Sequence, residues 1–244
     1  MKKTALVTGG AIRVGKALVE TCASLGYRLI IVYQSSDASA KELSRQLTQQ
    51  QVEHCLVQCD LSDPRAFSRL FNRLSESNEC RNLLPVDLLI NSAAIFPDND
   101  TLSQLDENWQ PVMTINTHAP LSLIQQFAEQ EFLADDAQVI NIVDGRLNHT
   151  QTDRLVYRLS KQSLITATKD CAKLLAPAIR VNGIALGAIL PPPGADDLYL
   201  ARLAKSIPLR RTGDVEHVQR ALTYLLSQSF VTGQIITLDG GEFL

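Results

Sequence analysis

The sequence predicts an α/β protein, a doubly wound, seven-stranded parallel sheet in a three-layer αβα arrangement. Three observations carry this. Short apolar runs alternate with segments of helical periodicity along the whole chain, the pattern of successive βαβ units. The first run, Ala5-Leu6-Val7, breaks at Thr8-Gly9-Gly10 and leads directly into Val14, Ala17, Leu18 and Cys22 at helical spacing, so a strand, a tight turn and a helix follow one another. The length of 244 residues with 45% hydrophobic content suffices for one large core, and no repeat, low-complexity tract or linker interrupts it. A single domain over 1–244 is therefore expected.

Each element has its own signal. Ala5 to Val7 suits a strand buried on both faces. Residues 28–33, RLIIVY, read as a second such strand. Residues 38–50 form a polar amphipathic helix with Leu43 and Leu47 one turn apart. A third strand, 54–59, ends at Asp60. Asp63-Pro64 opens a helix, with Asp63 as its cap and Pro64 at its first position. A fourth strand, 86–90, runs into Asn91-Ser92-Ala93-Ala94. A long apolar-faced helix is expected over 116–132, a fifth strand over 138–143, another long helix over 155–175, and the last strands over 180–184 and 234–238.

Composition excludes several classes of function. The net charge is −3, with no basic run or stripe, which argues against a nucleic-acid surface. No stretch approaches the ~18 apolar residues of a membrane span. The apolar run of MKKTALVTGG is too short for a signal peptide. The five cysteines, Cys22, Cys55, Cys59, Cys80 and Cys171, lie in or beside apolar segments and read as reduced core thiols, which implies a cytoplasmic protein. Cys55 and Cys59 lack a second ligand pair, and His118 and His149 lack a second histidine at metal spacing, so no metal site is expected.

In a sheet of this kind ligands bind beyond the carboxyl ends of the strands. That points to 8–15, 33–36, 60–61, 91–96, 144–146 and 186–194. The glycine turn opening a helix N-terminus is either an ordinary βα turn or a phosphate site. Residues 33–36, YQSS, hold no carboxylate before Asp37. An acid there would bond the ribose 2′-hydroxyl of NAD. Its absence, with Ser35, Ser36 and the guanidinium of Arg13, favours NADP, although Ser35 and Ser36 also suit a turn and helix cap. Tyr157 and Lys161, at i and i+4, share one helical face. A phenol is a weak acid with a reference pKa of about 10. A nearby ammonium lowers it and makes tyrosine a usable proton donor near neutrality, whereas an isolated pair of this kind is more often a surface contact.

Taken together and in order, TGGAIRVG at 8–15, CDL at 59–61, NSAA at 91–94, Asn116, YRLSK at 157–161, RVNGI at 180–184 and VTGQIITLDGG at 231–241 resemble the short-chain dehydrogenase/reductase family over the whole chain. Within it, the sequence most resembles the pteridine reductases. Position 13 holds arginine where most members have glycine. Position 144 holds aspartate in place of the usual serine, thirteen residues before Tyr157. Phe96 follows the NSAA turn, where pteridine reductases carry an aromatic.

The resemblance implies a Rossmann-type fold binding NADP(H) through Gly9, Ile12, Arg13, Val14, Ser35, Ser36, Asp60, Leu61, Asn91, Ala93, Tyr157, Lys161 and Gly187. It implies catalysis by Asp144, Tyr157, Lys161 and Asn116, the last holding a water in a proton relay. A pterin or folate would contact Arg13, Phe96, Asp144 and Tyr157, and hydride would pass to a ring C=N bond. Stacking of the flat ring on Phe96 adds around 1 kcal/mol beyond burial. A substrate lid is expected at about 188–208, beginning at the stiff Pro191-Pro192-Pro193-Gly194, and a homotetramer is expected through the long helices 116–132 and 155–175. Ser92 and Ala94 depart from the residues common in these reductases, and Leu186-Gly187 replaces the usual Pro-Gly. Two alternatives stand beside this reading: a short-chain carbonyl reductase acting on a ketone or 3-oxoacyl group, and an NADP(H)-binding regulator without catalysis.

Overall fold

The computed structural model describes residues 2–145, 154–192, 194–196 and 198–244. In chain order the elements are β1 (Thr4–Thr8), α1 (Arg13–Ser24), β2 (Arg28–Tyr33), α2 (Asp37–Gln49), β3 (His54–Gln58), α3 (Pro64–Phe67), α4 (Leu70–Glu76), β4 (Leu88–Asn91), α5 (Leu105–Met113), α6 (Ala119–Ala128), β5 (Ala137–Asp144), α7 (Leu155–Leu174), β6 (Ile179–Leu186), α8 (Tyr199–Ala204), α9 (Val215–Ser227) and β7 (Ile235–Leu238). The seven strands form one parallel sheet in the order β3-β2-β1-β4-β5-β6-β7. The chain winds outward from β1 to β3, then crosses to the other side of β1 with β4. The crevice at that reversal is where a sheet of this topology receives ligands.

Alternation along β1 explains why the sheet is covered on both faces. Ala5 and Val7 point into one core with Leu18, Val19, Leu43, Leu47, Leu222 and Leu225 from α1, α2 and α9. Leu6 between them points into the opposite core with Phe67, Leu70, Leu74, Leu123 and Phe127 from α3, α4 and α6. A strand with apolar residues on both sides is stable only between two helical layers.

The seven strands lie where the sequence places them, within about two residues at their ends. Asp63 caps α3 as expected, its Oδ1 accepting from the Arg65 amide at 2.9 Å. The expected helix over 116–132 is corrected at both ends. The helical path begins earlier, in α5, and passes through a π-helical turn, Thr114–His118, before α6. Pro120 has no N–H to return to the carbonyl of Asn116, so the regular ladder cannot close there. The helix stops at Ala128 because Gln130 turns its side chain to the Val86 backbone, accepting from its N–H at 2.8 Å and donating to its carbonyl at 3.0 Å. Phe132 lies outside the helix and is exposed.

Helices α5, α8 and α9 stand outside the elements that the sequence pattern predicts. Of these α9 had a readable start. Asp214 accepts from the His217 amide at 3.1 Å, and His217 Nδ1 accepts from the Asp214 amide at 3.3 Å, a capping box ahead of Val218, Leu222 and Leu225 at helical spacing.

Cys55 and Cys80 correct the expectation of five reduced thiols. They form a disulfide, because β3 and the segment after α4 bring their Cα atoms to 5.8 Å. Cys22, Cys59 and Cys171 are free thiols. Among the described residues no helix is long and apolar enough to cross a membrane. Arg146, His149 and Pro193 lie outside the described residues.

Candidate active site

The turn after β1 has no room for a side chain at two of its positions. Gly9 has φ +63°, and a Cβ there would lie 3.0 Å from Ala93 Cα. A Cβ on Gly15 would lie 2.1 Å from the Gly9 carbonyl oxygen. These two glycines let the first turn of α1 close onto the end of β1. Thr8 Oγ1 accepts from the amides of Ser92 and Ala93 at 3.0 and 3.1 Å, tying the exits of β1 and β4 together across the reversal. Ile12 stands at the N-cap of α1 with no side-chain bond, and the first turn holds no acid. Its N–H groups and positive dipole end are thus left for an anion. Arg13 adopts φ +53°, a left-handed conformation that favours glycine, and its Nη2 donates to the Pro191 carbonyl at 2.7 Å. The arginine thereby joins the glycine turn to the segment after β6.

A cleft of about 660 Å³ runs along these strand ends. Of the residues singled out in the sequence, Gly9, Ile12, Arg13, Val14, Ser35, Ser36, Leu61, Ala93, Phe96, Asp144, Tyr157, Lys161 and Gly187 line it. Asp37 begins α2 and accepts from the Tyr33 hydroxyl at 3.2 Å. Gly187 is close-packed, since a Cβ there would lie 2.7 Å from Asp239 Cα. Three other residues sit behind the wall. Asp60 accepts from the amide and hydroxyl of Ser62 at 2.8 and 2.7 Å. Asn91 is buried in the sheet and donates to Asn141 Oδ1 at 2.9 Å. Asn116 is fully buried in the π-helical turn. Its amide group brackets Ile95, accepting from the N–H at 2.9 Å and donating to the carbonyl at 3.0 Å, and it also donates to Ser160 Oγ at 3.1 Å.

The far end of the cleft holds the titratable groups. β5 ends at Asp144, and α7 begins eleven residues later, placing Tyr157 and Lys161 against that end. The Tyr157 hydroxyl donates to Asp144 Oδ2 at 3.0 Å. The carboxylate acceptor aims the phenol proton. Lys161 Nζ lies 5.9 Å from the Tyr157 ring centre and donates to the Ile142 carbonyl at 3.0 Å. Burial pulls the Lys161 ammonium from its ordinary value of 10.5 down to about 8, with the charge of Asp144 opposing that shift. Lys161 is thus still predominantly charged at neutral pH. Phe96 stands edge-on to Tyr157, ring centres 4.6 Å apart, with the Arg154 guanidinium 4.1 Å from its own ring centre. The edge contact with Tyr157 fixes ring orientation, while the guanidinium lies over one face of Phe96.

Several site residues escaped the sequence reading. Tyr199, Leu200 and Leu203 of α8 form a wall of the cleft, within the span expected as a lid. Their i, i+1, i+4 spacing is a weak helical signal. Ser160, between the two singled-out residues of α7, donates to the Tyr157 carbonyl at 2.7 Å and receives Asn116.

A model of the family described as enoyl-(acyl carrier protein) reductase matches residues 10–242. The chain belongs to this family of short-chain dehydrogenases/reductases. Relatives of this short-chain reductase carry two kinds of name. The 3-oxoacyl-[acyl-carrier-protein] reductase of Bos taurus is 31% identical, over 99% of this chain and 98% of its own. The carbonyl reductase family member 4 of Xenopus laevis is 27% identical, over 99% and 98%. Among solved structures, the FolM alternative dihydrofolate reductase 1 of Brucella canis, complexed with NADP, is 32% identical with a TM-score of 0.88, covering 99% of this chain and 94% of that one. The reductase is therefore an oxidoreductase of this family, similar in sequence to acyl and carbonyl reductases and in structure to a dihydrofolate reductase.

Proposed function

We propose that the chain is an NADPH-dependent reductase of pterins or folates, taking a dihydropteridine to its tetrahydro form. The observation that carries this is the 3.0 Å hydrogen bond from the Tyr157 hydroxyl to the Asp144 carboxylate at the cleft wall. A carboxylate here can accept the amino and ring N–H groups of a pterin, which a serine hydroxyl with its single proton and limited acceptor capacity would do less well.

The residues present fit the dinucleotide. The Gly9–Gly15 cradle, which a Cβ would fill, and the uncapped start of α1 suit its pyrophosphate. Ser35 and Ser36 at the cleft wall, with Asp37 turned to the Tyr33 hydroxyl, suit a 2′-phosphate. Lys161 would hold the nicotinamide ribose, and Gly187 the backbone beside the ring. When bound, NADPH supplies the hydride.

The chain supplies the proton and the orientation. The Tyr157 hydroxyl rotates from Asp144 to the substrate ring nitrogen and gives up its proton, so that the C=N bond becomes CH–NH. The nearby ammonium of Lys161 stabilises the phenolate left behind. Asp144 holds the substrate's N–H groups, and once the phenolate has taken a proton from water its hydroxyl donates to Asp144 again. Phe96 covers the flat ring, and α8 closes the cleft as the lid of residues 188–208. Asn116 acts by fixing Ile95 at the base of the loop that carries Phe96.

The test follows NADPH absorbance with dihydrofolate, dihydrobiopterin and a 3-oxoacyl thioester in parallel, wild type beside Asp144→Ser. Dihydropteridine turnover that falls at least tenfold in the variant supports the proposal. Turnover of the thioester alone selects a carbonyl reductase, the reading favoured by the Bos taurus and Xenopus laevis relatives. NADPH binding with no turnover selects a regulator. We further propose a homotetramer packed through α6 and α7, the latter exposing Leu159 and Leu174. Light scattering on the purified protein reads the assembly state, and a monomer would refute it.

A further inference from the structure

We propose that Asp100 is the positioning residue of the active site: from the loop after β4 it caps the helix that carries Tyr157 and so fixes where the phenol stands. Among the described residues, the start of helix α7 has no side-chain cap from its own segment. Arg154, its N-cap residue, has φ +61° and makes no side-chain cap bond. The first-turn N–H groups would be orphaned. Asp100, fully buried, takes their place from across the fold. Its Oδ1 accepts from the Val156 amide at 3.0 Å, its Oδ2 from the Tyr157 amide at 2.8 Å, and its backbone carbonyl from the Leu155 amide at 2.8 Å. Three consecutive amides thus end on one residue. A carboxylate there also meets the positive end of the helix.

The same loop is strapped down at two further points. Asn116 brackets Ile95, and Asn108 Nδ2 donates to the Asn99 carbonyl at 2.7 Å. Between these straps, Phe96 meets the Tyr157 ring edge-on. Asp100 therefore sets one geometry twice: it fixes the Tyr157 backbone directly, and it holds the loop whose aromatic packs on the Tyr157 ring. Displacing a catalytic group by about 1 Å can cost about 100-fold in rate, so this cap acts on turnover and not only on stability.

The inference rests on Tyr157 being the proton donor, and its test is separable from the pterin assignment. Asp100→Ala and Asp100→Asn are compared with wild type, with kcat normalised to the number of NADPH-binding sites found by fluorescence titration. Asp100→Ala should lose about 100-fold in kcat, with KM for NADPH within twofold. Asp100→Asn, which keeps one acceptor, should recover about tenfold of that and stay about tenfold below wild type. Two readouts need no substrate. Amide exchange over 155–157 should accelerate in Asp100→Ala, and its crystal structure should show the Tyr157 hydroxyl out of hydrogen-bond reach of Asp144. The proposal is overturned if Asp100→Ala keeps kcat within threefold of wild type, if exchange is unchanged, or if the Tyr157–Asp144 bond survives. Should Asp100→Ala fail to fold, an Asp100→Asn variant with wild-type kcat overturns it. A wild type that turns over none of the substrates counts against the pterin reading, and the exchange and crystal readouts then decide this one.

Discussion

Lys161→Met removes an ammonium that the fold keeps out of water. Lys161 is 4% exposed, and burial brings its pKa from 10.5 to about 8. At about 1.4 kcal/mol per pKa unit, the charged form is disfavoured in the folded protein by about 3 kcal/mol at neutral pH. An unfolded lysine keeps its proton up to about pH 10.5, whereas the folded one releases it near 8. Between those values the unfolded state binds more protons, so stability rises with pH. Relative to Lys161→Met, the wild type should therefore gain about 3 kcal/mol across that window, about 2 kcal/mol of it by pH 9.5. At pH 7 the variant recovers the cost of the buried charge but leaves the Ile142 carbonyl without its donor, a loss of about 1–3 kcal/mol. It should be as stable as wild type or slightly more so, while inactive. Urea unfolding of both proteins at pH 7, 8, 9 and 9.5 measures the difference, in which the other titrating groups largely cancel. A wild-type-minus-variant stability that stays flat or falls between pH 8 and 9.5 would refute the reasoning.

Two other outcomes follow from the fold. Gly15→Ala forces a methyl to within 2.1 Å of the Gly9 carbonyl oxygen, so it should weaken NADPH binding at least tenfold and cost about 1–3 kcal/mol in stability; fluorescence titration and thermal melting check this, and wild-type affinity would contradict it. Non-reducing peptide mapping should find the Cys55 and Cys80 peptides linked and Cys22, Cys59 and Cys171 alkylated. Reduction of that bond, which spans 25 residues, should lower urea stability by about 3 kcal/mol, and unlinked peptides would refute the pairing.

How much of this was legible depends on how local each signal is. The strand–glycine–helix start and the alternation of apolar runs are local patterns, and they gave the sheet and its ligand edge. Asp144, Tyr157 and Lys161 were readable because their relation follows from one strand end and one helical turn. The π-helical turn at 114–118 was hidden because an apolar helical face continues through it. Pro111 and Pro120 were the available warning, since a proline inside a helix breaks its ladder. Asp100 had no signal in the sequence. Its partners lie 55 and more residues further on, and in sequence it stands before the short 3₁₀ turn Leu102–Gln104, not before the helix it caps. The disulfide was hidden for the same reason, because only the packing of β3 against the segment after α4 makes Cys55 and Cys80 neighbours. Asp60, Asn91 and Asn116 belong to motifs that imply site residues, yet they stand behind the cleft wall, where they hold the segments that form it.

The proton-donating role of Tyr157 is tested most directly by single-turnover mixing of the NADPH-loaded Tyr157→Phe variant with dihydrobiopterin, beside wild type. The ring remains against Phe96 and only the hydroxyl is lost. Loss of at least 100-fold in the rate of NADPH oxidation by the NADPH-saturated variant is the predicted result. A rate within threefold of wild type would mean that the proton comes from elsewhere.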